Sequence, residues 1–190
     1  MTFQDDVRNA VSVMRHGGVI LYPTDTVWGI GCDATCRDAV RKVYEIKRRA
    51  DSKALISLVD DERNLEKYIG GDVLDVAVSI IADSDRPTTI VYPDCRNLAD
   101  NLLASDGSAG LRVTRERYSS ELCRELGVPV VSTSANISGE PAPAIFKEIS
   151  PEIIGAVDYV AFYRRDDESL SIPSRVLKIN PDGSTVILRP

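Results

Sequence analysis

A layered α/β fold built on a mixed β-sheet is what this sequence predicts, and three observations carry the prediction. Segments with helical apolar spacing are interspersed with short apolar runs of strand length along the whole chain. Near the C-terminus such runs follow one another without a helix between them, so some neighbours must pair antiparallel. The length of 190 residues, 43% hydrophobic and 27% charged, suits one globular domain over 1–190.

The elements follow in order. Val7, Val11 and Met14 lie on one face of a first helix over Asp6 to Arg15, which His16 and the Gly17–Gly18 pair close. Val19 to Tyr22 is a buried strand that Pro23 ends. Ala39, Val40, Val43 and Tyr44 mark a helix over Asp38 to Ala50, and Leu55 to Val59 the next strand. A helix over Val73 to Ala82 precedes strands at Thr89 to Tyr92 and Gly110 to Val113. A helix at Ser119 to Leu126, a strand at Val128 to Ser132 and a short helix at Ala144 to Ile149 follow. Strands at Tyr159 to Phe162, Arg175 to Ile179 and Val186 to Leu188 complete the chain.

Composition excludes several chemistries. The apolar runs, such as Val19 to Leu21, are far shorter than the ~20 residues of a membrane span, and Met1 to Arg8 lacks a signal-peptide core, so a cytoplasmic protein is expected. The four cysteines, Cys32, Cys36, Cys95 and Cys123, have no CxxC spacing, and one histidine is available to help them. They read as reduced thiols rather than metal ligands, and no metal-ligating residue is expected. His16 as the sole imidazole leaves no room for a zinc-protease motif.

Two features could carry function. The net charge is −6, yet Arg37, Arg41, Lys42, Lys47, Arg48, Arg49 and Lys53 face only three acidic residues between positions 37 and 53, leaving +4 there and −10 elsewhere. Such a concentration attracts polyphosphate or RNA, although cations at a helix end are also ordinary dipole partners. Lys47 and Arg49 follow the last apolar position of their helix and are expected on the surface. The second feature is Ser132 to Gly139 directly after Pro129 to Val131, a cluster of hydroxyls and an amide at a strand end. That is where α/β folds place ligands, and it is equally the composition of a polar turn. Gly29, Gly31 and Ala34 also fit the dinucleotide pattern G-x-G-x-x-A, with Asp60 ending the next strand, but Pro23 to Trp28 separate them from the strand they should follow.

Tyr22 to Gly29, then Lys47, Arg48 and Arg49, then Gly110 to Val113, then Ser132 to Gly139 resemble, in this order, the signature blocks of the YrdC-like threonylcarbamoyl-AMP synthases. The resemblance runs from about Gly17 to Arg189. It implies a twisted open sheet whose concave face holds threonine, bicarbonate and ATP, and a product used in tRNA modification. By position, Lys47 and Arg49 match the Lys-x-Arg pair on the ATP phosphates, Ser134 and Asn136 the Ser-x-Asn nucleotide motif, and Arg189 a late ATP-site arginine. Thr24, Arg112, Ser132 and Ser174 match the threonine pocket. Mg²⁺ is implied through the ATP phosphates, and tRNA, double-stranded RNA and a tRNA threonylcarbamoyl-transfer enzyme as partners. The ending Leu188–Arg189–Pro190 resembles the short form of the family, without the additional C-terminal domain of longer relatives. The chain departs from the pattern at Lys53–Ala54, where Lys-Pro or Asn-Pro is usual. It departs again at Asp85–Arg86–Pro87 in place of Pro-Gly-Pro, and at Arg175 in place of a threonine. The alternatives are an RNA-binding YrdC/YciO-like paralogue that turns nothing over and an NAD-dependent oxidoreductase. The YciO-like group usually lacks both the Lys-x-Arg pair and the Ser-Ala-Asn, and this chain keeps both.

Overall fold

The computed structural model describes residues 1–49, 55–169 and 172–190; Lys53 and Ala54 of the first departure lie outside them. Helix α1 (Phe3–Arg15) opens with a capping box in which Thr2 Oγ1 accepts from Asp5 N at 3.1 Å and the Asp5 carboxylate accepts from Thr2 N. It closes as the sequence predicts: Gly17, at φ +73°, and Gly18 donate backward to Met14 O and Val13 O, with His16 at the C-cap.

Strands β1 (Ile20–Tyr22) and β2 (Gly29–Gly31) form a hairpin whose long connection carries Thr24 to Trp28. Helix α2 (Arg37–Ile46), β3 (Ile56–Val59), α3 (Gly71–Ala82), β4 (Thr88–Tyr92) and β5 (Ala109–Val113) come next. They are followed by α4 (Arg117–Leu126), β6 (Val130–Ser134), α5 (Pro151–Ala156), β7 (Tyr159–Val160), β8 (Arg175–Ile179) and β9 (Thr185–Arg189). Among the described residues the sheet has nine strands in the order β7-β1-β2-β6-β3-β5-β4-β8-β9. β1/β7, β3/β5 and β4/β8 are parallel and the other pairs antiparallel, so the sheet is mixed and open. No helix among the described residues is long and apolar enough to cross a membrane.

The larger core cluster packs α1, α2 and α4 against β1, β2, β3 and β6; the smaller packs α3 against β4 and β5. Alternation along β4 and β5 sends Ile90, Tyr92 and Leu111 into that second core and Thr89 and Arg112 to the opposite face. The sheet thereby acquires a polar surface at its centre.

Several boundaries differ from the sequence expectation for local reasons. Gly29 and Gly31 lie in a strand rather than a nucleotide-binding turn. A Cβ on Gly31 would stand 2.2 Å from Val131 O, so glycine is needed for β6 to approach, and the dinucleotide reading falls with it. β6 begins and ends two residues later than expected, because Gly127 in the left-handed conformation caps α4 and Val128–Pro129 form the connection. The expected helix at Ala144 to Ile149 is a single 3₁₀ turn, Phe146–Glu148, and the true helix is α5, opened by Ser150 as N-cap and Pro151 at its first position. β7 stops at Val160 because the backbone N–H groups of Phe162 and Tyr163 turn to the buried Asp6 carboxylate.

Candidate active site

Helix α2 ends four residues before its expected limit of Ala50. Arg48 adopts a left-handed φ of +50° and Arg49 N donates to Tyr44 O, so Lys47 turns inward while Arg48 stays outside and pairs with Glu152. Lys47 is 1% exposed, against the expectation that it lies on the surface. Its ammonium donates to Ser134 O at 2.5 Å and Asn136 O at 2.7 Å, with Asn136 Oδ1 at 3.4 Å. Ser138 N donates back to Lys47 O. Burial, helped by the neighbouring Arg49 charge, lowers its pKa to about 8.

Lys47 therefore fixes the turn that follows β6. Ser134 Oγ bonds Asn136 Oδ1 at 2.5 Å, and the Asn136 amide donates to the carbonyls of Ile137 and Glu140. The turn is also tied to the β1–β2 connection, where Ala135 N donates to Trp28 O. Within that connection Thr24 Oγ1 accepts from Thr26 N and donates to Val27 O at 2.7 Å, so its hydroxyl is used in holding the loop.

Between these parts lies a cleft of about 310 Å³ on the polar face of the sheet. Arg49, Ser132, Ser134, Ser174, Arg189 and Arg112 all line it. Thr24, Lys47 and Asn136 stand behind its wall and shape it through the bonds just described. Arg112 is 3% exposed, with its Nη2 at 2.8 Å from Asp25 Oδ1 and 3.4 Å from Thr26 Oγ1, while its buried Nε has no acceptor. Desolvation outweighs the attraction of Arg112 and holds the Asp25 carboxyl above the ordinary range. Thr89 and Ser174 share a hydroxyl hydrogen bond of 2.9 Å across the strand gap, and the Arg189 guanidinium grips Ser174 O through Nε and Nη2.

Sequence reasoning missed Thr89, Thr26 and the pairing of Asp25 with Arg112. The signal for Thr89 was present: a hydroxyl alternating with Ile90 in a strand marks a polar sheet face. The pairing of Asp25 joins two distant segments, which no local pattern reveals.

The Sua5/YciO/YrdC family model, described as "Telomere recombination", matches residues 12–190. The chain belongs to this family. A threonylcarbamoyl-AMP synthase of Hahella chejuensis is 36% identical over 141 residues, covering 74% of this chain and 77% of that protein. One of Xanthomonas euvesicatoria is 32% identical over 162 residues, covering 84% and 87%. Among solved structures, P. abyssi Sua5 complexed with L-threonine superposes with a TM-score of 0.82 at 23% identity over 97% of this chain and 53% of that one. E. coli YciO gives 0.82 at 23% identity over 98% and 89%. In this Sua5/YciO/YrdC domain the cleft is lined by three guanidinium groups, from Arg49, Arg112 and Arg189, and by no carboxylate among the described residues. On a chain of net charge −6, that is a local concentration of positive charge.

Proposed function

We propose that this chain is a threonylcarbamoyl-AMP synthase, condensing L-threonine, bicarbonate and ATP to threonylcarbamoyl-AMP and pyrophosphate. The observation that carries the reading is the cation-lined, carboxylate-free cleft in a chain 36% identical over 141 residues to a protein of that name. The threonine amine adds to the carbon of bicarbonate with loss of water, giving a carbamate. A carbamate oxygen then attacks the α-phosphorus of ATP, and the bond to the β-phosphate oxygen breaks to release pyrophosphate. The carbamate is already an anionic nucleophile, so no protein nucleophile is required and the single imidazole is no obstacle. The protein's work is alignment and positive charge.

Arg112, buried beside Ser132 and Ser174, is suited to the threonine carboxylate, because its planar fork donates two parallel bonds. Arg49, Ser134 and Arg189 take the nucleotide, which arrives as its Mg²⁺ complex with the ion on the phosphates. The four cysteines are free thiols, which supports a reducing, cytoplasmic setting. The adenylate would pass to a tRNA threonylcarbamoyl-transfer enzyme. Direct contact with tRNA or double-stranded RNA draws less support, since Arg37, Arg41 and Arg48 of the basic stretch pair with carboxylates on the chain's own surface.

Pyrophosphate release from ATP tests the reading: it is expected to require threonine and bicarbonate together, with serine poorer by roughly ten- to two-hundred-fold for want of one methyl group. Turnover independent of bicarbonate overturns it. Arg49→Ala is expected to weaken ATP use by roughly ten- to a hundred-fold, the worth of a charge-assisted bond. The melting temperature should hardly move, since Arg49 is only half-buried. Unchanged ATP kinetics would return Arg49 to the role of a helix-end cation.

A further inference from the structure

A second cavity, of about 320 Å³, lies on the far side of Asp25 from Arg112. Its apolar wall is Ile81, Pro87 and Val113, and its volume is at the lower end of the range of small-ligand pockets, ~300–1,000 Å³. The Asp25 carboxylate lines it, although Oδ1 has no hydrogen bond beyond its ion pair with Arg112. At the solvent side stand Asp85 and Arg86, both exposed. Arg115, also exposed, gives one donor to Ile81 O at 3.3 Å.

Asp85, Arg86 and Arg175 meet at this cavity. Asp85 and Arg86 line it, and Arg175 holds its wall, donating from Nη2 to Ser84 Oγ at 3.1 Å and from its backbone N–H to Pro87 O at 3.0 Å. The lining has a distinct chemistry. A purely anionic ligand would meet Asp25, Asp85 and Glu116, and a purely cationic one would leave Arg86 and Arg115 without a counter-charge. A ligand with one ammonium, one carboxylate and a short aliphatic body satisfies both sets and covers Ile81, Pro87 and Val113.

We propose that this cavity is an effector site for a small aliphatic amino acid, with the ammonium on Asp25, the carboxylate on Arg86 and the side chain on the apolar wall. Asp25 is the wall shared with the cleft. An ammonium placed there adds positive charge behind Arg112 and favours an anion in front of it, so the occupant lowers the threonine requirement. The binding claim stands on the cavity alone; the effect on threonine rests on the reaction proposed above.

The test is calorimetric titration of the full chain with L-alanine, L-valine and L-leucine, in the presence and absence of saturating threonine. For at least one of the three, saturable binding is expected, weakened about tenfold in Arg86→Ala by loss of a charge-assisted bond. Arg86 is exposed and outside the cleft, so its variant keeps the wild-type fold and basal pyrophosphate release. In that assay the bound amino acid is expected to lower the threonine KM about fivefold in the wild type and not in Arg86→Ala, a coupling of ordinary size. No saturable binding, or equal binding to the wild type and Arg86→Ala, overturns the site. Binding that leaves the threonine KM unchanged overturns the effector role. A wild type inactive with threonine, bicarbonate and ATP overturns the proposed reaction instead, and calorimetry still decides the site.

Discussion

Arg112→Lys raises the threonine requirement roughly ten- to a hundred-fold, while ATP affinity measured without threonine changes by less than about twofold. The lysine keeps the charge that Asp25 faces across 2.8 Å but cannot reproduce a planar fork on a carboxylate. The structure makes Arg112→Ala a different experiment. Arg112 is 3% exposed, and its removal leaves the largely buried Asp25 without its counter-ion. Breaking a buried pair from one side costs about 3–5 kcal/mol, so the alanine variant is expected to melt lower as well as to lose threonine use. Steady-state kinetics with each substrate varied in turn, beside thermal melts, separate the two effects. An equal loss of ATP affinity in Arg112→Lys would move Arg112 to the phosphates, and unchanged threonine kinetics would remove it from the site.

The Arg112 pair also shows where sequence reading stops. That Arg112 lies on a strand face opposite Leu111 follows from a period of two, and the structure bears it out. That the face is a buried cleft wall, and that Asp25 stands against it, depends on β5 and the β1–β2 connection meeting across the two intervening strands β6 and β3. Strands with apolar cores were legible for the same reason as Arg112. Gly29–Gly31 was not, because a strand of two glycines and one isoleucine has no alternation to read, and its glycines answer to the carbonyl of Val131 on β6. α5 was legible in principle from Ser150–Pro151, a cap and first-turn pair, but its six residues contain too little periodicity to outweigh the apolar run before them. The Ser132–Gly139 block was recognised by composition, whereas the cation that organises it, Lys47, comes from the distant end of α2. Nothing local distinguishes the inward Lys47 from the outward Arg48; the left-handed backbone at Arg48 makes the difference.

Lys47→Met is therefore expected to act on stability as well as on ATP use. Methionine fills the volume of the lysine stem but leaves the Ser134 and Asn136 carbonyls without the ammonium that now serves both, at a cost of about 1–3 kcal/mol; Lys47→Ala adds a cavity and costs about 2–5 kcal/mol. At this chain length that is a fall of roughly 2–4 °C in melting temperature for each kcal/mol. The slackened Ser134–Asn136 turn should lower ATP use in both variants. A lysine acting solely as a phosphate ligand would lower ATP use with no change in the melt. Titration gives an independent check. The folded-state pKa of Lys47 is about 8 and its ordinary value 10.5, so between these the unfolded chain holds a proton that the folded chain has released. Stability from this group accordingly rises with pH across that window, being lowest where the buried ammonium is fully charged. From pH 7 to pH 9 the wild type should gain about 1 kcal/mol on Lys47→Met, since one pKa unit is worth about 1.36 kcal/mol. Urea melts of the two proteins at both pH values measure this difference directly, and the comparison cancels the thiols and phenols that titrate in both. A constant difference would mean that Lys47 keeps its full charge when buried, with the carbonyls of Ser134 and Asn136 compensating its desolvation.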